Sequence, residues 1–153
     1  DFLMFIARLN HWLPEGGTDR YGFFLVGYLH VDHIISSVTS IPLNADLERF
    51  SSNAHIRRAM YDSSLWDSFW IFGGSSWSRR FHKAVPVTRE ICDQIFRAAD
   101  GSKWKWGMNE GGRSDLQVIG SYTRTCRCSI DPGTEDGAKR AALLWKWIES
   151  YSD

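Results

Sequence analysis

The sequence has no net charge and no long apolar run, and each of these absences excludes a class of protein. Its 153 residues contain 18 Lys and Arg against 18 Asp and Glu, which excludes a histone-like protein that coats a polyanion over its whole surface. No apolar run approaches the roughly 18 residues of a transmembrane helix, so no membrane association is expected. Internal repeats and low-complexity tracts are absent as well.

Cysteine is also scarce. Three Cys make no disulfide framework and favour a reducing compartment, so we expect a cytoplasmic location. Cys126 and Cys128 have the spacing C-x-C, but no second pair of Cys or His lies near them, so the sequence does not indicate a structural zinc site. We therefore expect no metal and no cofactor.

The composition that remains is that of one globular domain. Apolar residues make up 43% of the chain and charged residues 24%, as in folded soluble proteins. The length suits a single domain over residues 1–153. The chain opens at Asp1 rather than Met, so we expect that residues upstream were removed or precede this numbering.

Aromatic residues are abundant, at 14% of the chain, with eight Trp. Amphipathic rings beyond the needs of a core often line recognition surfaces. The alternative is that a small barrel-like fold uses Trp as bulky core filler. The candidates for stacking on a base are Trp66, Trp70, Trp77, Trp104 and Trp106.

Apolar patterns predict two antiparallel strands in the first third of the chain. The run over 2–7 predicts a strand buried on both faces or at a barrel seam, and a loop over Leu13–Asp19 leads to a second strand over 21–35. Residues 36–68 are polar and predict loops, with a short helix at 53–58.

The rest of the chain predicts a mixture of strands and helices. A strand runs from Phe69 to a turn at Gly73-Gly74, and a helix follows that is capped by Thr88 and closed by Gly101. A second strand covers 116–120, and a terminal helix covers 134–151. The apolar face of that terminal helix consists of Ala138, Ala141, Ala142, Trp145 and Ile148. The fold class predicted is α+β, with a curled, mostly antiparallel sheet flanked by two or three helices.

One pair on the second strand has the spacing of metal ligands. His30 and Asp32 share a face of that strand and match the first half of the facial triad of iron-dependent oxygenases. His55 or His82 would supply the third ligand. The short chain and the frequency of H-x-D by chance favour the alternative, a pair on the strand surface.

Charge is unevenly distributed along the chain. Residues 54–89 contain six basic and two acidic side chains, a net charge of +4, interleaved with Trp. Basic groups beside exposed rings can hold a phosphate and stack a base; the alternative is an ordinary solvated surface. The basic residues of this segment are Arg57, Arg58, Arg79, Arg80, Lys83 and Arg89.

Two short motifs within this segment carry candidate ligand-binding groups. Ser76, Ser78, Arg79 and Arg80 follow a glycine turn, where backbone N–H groups and guanidinium groups suit a phosphate or carboxylate, although the spacing is not that of a P-loop. The run Asn53–Arg58 joins an amide, an imidazole and guanidinium groups; the alternative is a capping Asn before a solvated basic helix.

The sequence resembles PUA-like domains, the superfamily of the EVE, YTH and ASCH groups. The resemblance is carried by the opening DFLMFIA and by FLVGYLHV over 24–31. Asn53–Arg58, the stretch from Gly73 to Pro86 with Ser78 and Phe81, and Thr123-Arg124 resemble the nucleotide-modification-associated domains of phage and bacterial DNA-modification systems.

The resemblance implies a pseudobarrel that recognises a modified or flipped base in an aromatic pocket beside a basic strip. It also implies a modification or nuclease domain that is fused to this domain or encoded near it. The residues that it points to are Asn53, His55, Arg58, Ser78, Arg79 and Arg124.

The function predicted is nucleic-acid binding with selectivity for a modified base, in DNA or RNA. Arg57, Arg58, Arg79, Arg80 and Lys83 would contact phosphates, and Asn53 or His55 would contact the base edge. Two alternatives stay open. One is an enzyme of nucleotide or base modification that uses His55 as its acid–base group, with Ser78, Arg79 and Arg124 on the phosphate. The other is a Trp-rich module that binds a peptide.

Overall fold

The computed structural model of the chain describes residues 1–10, 21–98, 100–108, 114–116 and 128–151. The predicted loop over 13–19, all of the strand predicted over 116–120 except Leu116, Arg124 and Cys126 lie outside these ranges. In chain order the elements are β1 (Phe2–Asn10), β2 (Tyr21–Val38), α1 (Asn44–Phe50), α2 (Ala54–Tyr61), a 3₁₀ helix (Ser63–Leu65), β3 (Phe69–Gly74), β4 (Arg79–Pro86), α3 (Arg89–Ile95), β5 (Trp106–Met108), β6 (Ser114–Leu116) and α4 (Glu135–Glu149).

The main sheet has four antiparallel strands and is organised around β2. That strand pairs with β1, β3 and β4, while β5 and β6 form a separate two-stranded antiparallel sheet. The predicted α+β class with an antiparallel sheet is therefore confirmed. Among the described residues there are four α-helices rather than two or three. Closure of the sheet into a pseudobarrel stays a prediction.

The chain divides into two compact units. The first unit consists of Asp1–Met4 and Tyr28–Arg80, and the second of Phe5–Gly27 and Phe81–Asp153. Each unit is thus assembled from segments that are distant in sequence, and the long strands β1 and β2 contribute residues to both. The predicted single-domain organisation stays a prediction.

The core of the first unit lies between two strands and two helices. Val38, Ile56 and Ile71 are buried together, from β2, α2 and β3 respectively. Leu47 and Phe50 of α1 pack against this cluster. Helices α1 and α2 therefore cover one face of the β2–β3 pair.

A bulge in β2 brings two consecutive side chains to α1. The register of β2 against β3 shifts between Val31 and His33, and such a shift places an extra residue in one strand. Asp32 accepts a hydrogen bond from Arg49 at 2.6 Å, and His33 lies 2.9 Å from an oxygen of Asp46. These contacts fasten α1 to the strand.

The prediction that residues 36–68 are mainly loop was wrong. Helix α2 extends to Tyr61, beyond the predicted 58, and α1 was not predicted. Helix α1 is seven residues long, has no buried residue and lacks a side-chain cap at Leu43. Its sequence offers only Asp46 in the first turn and Arg49 in the last turn as helix signals, and the contacts of these two residues with β2 add stabilisation.

In the second unit, α3 begins where predicted but ends earlier. The Thr88 hydroxyl caps the helix by accepting from the backbone N–H of Ile91, as predicted. The helix ends at Ile95 because Phe96 is extended. Gly101 has φ of +81° and belongs to a separate turn, in which its N–H donates to the carbonyl of Ala98.

The predicted terminal helix is confirmed as α4, with Thr134 as its cap. Its buried residues are Gly137, Leu144 and Ile148, whereas Ala138 and Ala142 are exposed. The predicted apolar face was therefore partly wrong. Arg140 explains the difference, because its guanidinium occupies the inner face and donates to the carbonyl of Ile95 in α3.

Of the two alternatives predicted for β1, burial on both faces was wrong, since Phe2, Phe5 and Leu9 are exposed, and a position at a barrel seam stays a prediction. Within the described residues this strand pairs with β2 alone, so it has a neighbour on one edge only. None of the helices described is both long enough and apolar enough to span a membrane.

Cys92 gives a prediction about stability at high pH. Burial, with smaller effects from Asp93 and Cys128, raises the pKa of its thiol to about 12 from 9.0. The unfolded chain therefore loses this proton at lower pH than the folded chain. We expect this contribution to stability to be complete below about pH 9 and to disappear as the pH rises towards 12.

Urea unfolding of the wild type and Cys92→Ala at about pH 7 and about pH 10 measures this effect. The wild type should lose more stability than the variant between the two pH values, although the variant is less stable at neutral pH because of the cavity. Equal losses in the two proteins would show that the thiol does not ionise differently on unfolding.

Candidate nucleic-acid interface

A hydrogen-bonded turn between β3 and β4 is fastened to His30 of β2. The carbonyl of His30 accepts from the N–H of Ser75 at 2.9 Å, and the N–H of His30 donates to Ser78 Oγ at 3.1 Å. Nδ1 of His30 lies 2.8 Å from Ser75 Oγ, which also accepts from the N–H of Trp77 at 3.1 Å. The Ser75–Ser78 turn is therefore held at both ends.

This turn presents an exposed indole beside the imidazole. Trp77 is 72% exposed, and its ring centroid lies 5.5 Å from that of His30 with the planes 34° apart. Phe2 of β1 lies on His30 at 4.8 Å and meets Tyr28 edge to face at 5.5 Å. We call Phe2, Tyr28, His30, Ser75 and Trp77 the His30 cluster.

Two arginines follow the turn directly. Arg79 and Arg80 are exposed at the start of β4. Within the part of the chain that the structure describes, neither guanidinium has an ion pair or hydrogen-bond partner. Both are therefore available to an anion, close in sequence to the exposed indole and, as consecutive strand residues, on opposite faces of β4. The hydroxyl of Ser78, by contrast, is engaged by the backbone of His30.

A second exposed aromatic surface lies on the β2–β3 pair. Trp70 is 55% exposed and stacks on Phe72 with centroids 6.3 Å apart, and Phe72 is the cross-strand partner of Ile34. The residues buried in the first unit's core, including Ile71, alternate with these along β3. Trp70, Phe72 and Ile34 therefore face away from α1 and α2.

Helix α2 carries a groove of about 490 Å³ that is lined by two arginines and by the carboxylate of Asp62. Arg57, Arg58 and Tyr61 line it, and neither guanidinium has a partner among the described residues. Asn53 caps the helix, because its side-chain oxygen accepts from the N–H groups of His55 and Ile56 at 2.9 and 3.3 Å. The alternative interpretation of Asn53 as a capping residue therefore describes its contacts, and this oxygen is not free to contact a base.

His55 is exposed on the same helix, and its ring lies 5.3 Å from that of Phe69. Lys83 lies in the second unit, with its ammonium 5.8 Å from the centre of the Tyr151 ring. Arg124 lies outside the described residues. Of the predicted set, the structure thus brings Trp77, Arg79 and Arg80 together at one turn.

Three of the five predicted stacking residues pack within the protein. Trp104 is 5% exposed and lies parallel to Phe96 at 4.6 Å. Trp106 is half-buried, edge to face with Phe23 at 5.9 Å, and Trp66 packs on Phe69 against the first unit's core. The core-filler interpretation describes these three, which leaves Trp70 and Trp77 as the exposed members of the predicted set.

The structure does not assemble the facial triad. His30 contacts Ser75, and Asp32 contacts Arg49. Among the residues that the structure describes, no three His, Cys, Asp or Glu side chains are grouped so that they could hold a metal ion.

The role of His30 in a cluster with Ser75 and Phe2 was not predicted. The H-x-D motif predicts His30 as a metal ligand or, as the favoured alternative, as half of a surface pair with Asp32, and neither prediction includes Ser75 or Phe2. The contacts join residues 30 and 75, which are distant in sequence. The alternation along β2 places the His30 side chain on one strand face but does not identify its partners.

No protein-family model, no curated protein and no solved structure matches the chain. The support for a function therefore comes from the residues of the site.

Proposed function

We propose that this protein binds nucleic acid by stacking an unpaired or flipped base on Trp77 and contacting the adjacent phosphates with Arg79 and Arg80. The observation that carries the proposal is the exposed indole, held by a hydrogen-bonded turn and followed directly by two guanidinium groups without partners.

The energetics favour this combination of groups. Stacking a base on an aromatic ring contributes about 1–3 kcal/mol and tolerates any sequence. The backbone N–H of Trp77 is already bonded to Ser75 Oγ, so less ordering of the turn is needed on binding. Arginine contacts with phosphates add a salt-dependent term.

Selectivity for a modified base is the finer part of the proposal. It is supported by the resemblance to PUA-like and nucleotide-modification-associated domains. That resemblance implies a pseudobarrel, which would be built on the sheet around β2. Arg57 and Arg58, which lack partners among the described residues, would extend the basic surface along α2. A base in a site that excludes water is discriminated strongly, because a missing hydrogen bond leaves a buried group unpaired.

Replacing Trp77 by Ala should weaken oligonucleotide binding by roughly 5- to 150-fold, the equivalent of one base stack. The measurement is fluorescence anisotropy with labelled single- and double-stranded oligonucleotides at two salt concentrations. The panel carries unmodified, methylated, hydroxymethylated and glucosylated bases. Trp77→Phe keeps a ring and should recover part of the affinity.

Two further variants complete the experiment. Arg79→Gln with Arg80→Gln should reduce the salt dependence by about two phosphate contacts, while Leu43→Ala, at an exposed apolar residue of another segment, should bind like the wild type. Wild-type protein that binds no oligonucleotide in the panel, or binding that Trp77→Ala leaves intact, would contradict the proposal.

A further inference from the structure

The hydrogen bonds around Ser75 define which ring nitrogen of His30 is available. Ser75 Oγ accepts from the N–H of Trp77 and lies 2.8 Å from Nδ1 of His30. Within the described part of the chain, the Ser75 hydroxyl has no other group to which it can donate. The arrangement that uses every group therefore has the hydroxyl donating to Nδ1.

This arrangement determines the chemistry of the other nitrogen. A neutral imidazole carries one proton, so a ring that accepts at Nδ1 carries its proton on Nε2. Nε2 of His30 has no partner among the residues that the structure describes. In this arrangement the imidazole of His30 presents its one N–H donor at Nε2, beside the indole of Trp77.

The donor lies beside the proposed stacking surface. The imidazole and indole centroids are 5.5 Å apart, so the two rings are direct neighbours. The ring centroid of Phe2 lies 4.8 Å from that of the imidazole. A base that overlaps the side of the indole nearest His30 would lie next to the imidazole edge. Phe2 and Ser75 restrict the rotation of the ring, so the donor direction is defined before binding.

We propose that His30 is a specificity-determining residue, whose Nε2–H donates to the O6 carbonyl of a guanine or the O4 carbonyl of a thymine or uracil held by Trp77. The ligand class is then a keto base, with guanine or thymine (uracil in RNA) preferred over adenine or cytosine. The reason is that an exocyclic amino group in the same place would oppose one donor with another. This inference rests on the proposed function.

The two residues predicted to contact the base edge, Asn53 and His55, have other contacts in the structure, which favours His30 for that role. Asn53 uses its side-chain oxygen to cap α2, and His55 lies on α2 against Phe69. Among the residues that the structure describes, His30 alone combines a direct ring contact with Trp77 and a ring nitrogen in contact with a neighbouring hydroxyl. Its test needs variants that separate the two nitrogens.

The test compares His30→Asn with His30→Gln. An Asn side chain can accept from Ser75 near the Nδ1 position but has no atom at the Nε2 position, whereas Gln reaches that position with an amide donor. Single-stranded oligonucleotides that differ at one central base, G, T, A or C, are titrated by anisotropy. Wild-type protein should prefer G and T by roughly 2- to 10-fold, the effect of one neutral hydrogen bond.

The readout is the ratio of affinities for keto and amino bases within one preparation, which does not depend on the fraction of folded protein. His30→Asn should bring this ratio to about one, and His30→Gln should retain part of it. Wild-type binding without a base preference, or a preference that His30→Asn retains, would overturn this inference and leave the proposed function standing. Wild-type protein that binds none of the four oligonucleotides would overturn both.

Discussion

Replacing Ile56 by Ala should lower the free energy of unfolding by about 2–5 kcal/mol, the range for large-to-small changes in a tight core. Ile56 is fully buried and is the residue through which α2 joins the core of the first unit, with Val38 and Ile71 from the two strands. Removing three carbon atoms costs their transfer free energy and leaves a cavity that the paired strands cannot close.

Urea denaturation followed by Trp fluorescence measures this loss, and Trp66 beside the cluster provides a local signal. Met60→Ala is the matched control, because Met60 lies on the same helix but is exposed, so its truncation should cost well under 1 kcal/mol. Ile56→Val should fall between them, at about 0.5–1.5 kcal/mol. A loss for Ile56→Ala no larger than that for Met60→Ala would show that α2 does not depend on this core.

Much of the fold could be predicted where local chemistry determines it. Thr88 is predicted as a cap because a hydroxyl before an apolar period is a local signal, and it accepts the expected backbone N–H; the terminal helix is predicted from its apolar period, and the structure adds Thr134 as its cap. Strands β2 and β3 were predicted from apolar runs ended by turn residues. These elements need no knowledge of distant residues.

The errors arose where partners distant in sequence decide the structure. Helix α1 is held by Asp32 and His33, two residues that a bulge in β2 brings within reach, and no pattern in residues 44–50 shows this. The apolar run of β1 predicted burial, but burial depends on which strands flank it. Arg140 occupies an inner position of α4 because the Ile95 carbonyl is there to accept from it.

In the candidate site too, features set by sequence neighbours could be predicted, whereas features set by distant residues could not. Basic groups interleaved with Trp mark the segment that contains the candidate site, and Trp77, Arg79 and Arg80 are neighbours there because they are close in sequence. Composition could not separate exposed Trp77 from buried Trp104, since exposure depends on packing. His30 was missed because its partners come from another strand and a turn.

Replacing Gly137 by Ala should destabilise the second unit by about 1–3 kcal/mol, a cost typical of overpacking. A Cβ at this position would lie 1.8 Å from the backbone carbonyl oxygen of Asp131 and 2.8 Å from the Thr134 hydroxyl. The carbonyl belongs to the turn that precedes α4, and the hydroxyl is the helix cap, bonded to the N–H of Gly137 at 3.0 Å. Neither can move without breaking the cap, which itself contributes about 1 kcal/mol.

Helix propensity alone predicts that Gly137→Ala raises stability, whereas the close contacts predict that it lowers stability. The sign of the measured change therefore distinguishes the two causes. At an ordinary helical position Ala is favoured over Gly by about 1 kcal/mol, so the control Ala142→Gly, at an exposed position of the same helix, should be destabilising as well. Urea midpoints and far-UV circular dichroism of the two variants measure both losses. If Gly137→Ala raised stability, as propensity alone predicts, the close approach of Asp131 to α4 would not exist in solution, and the start of this helix would be organised differently.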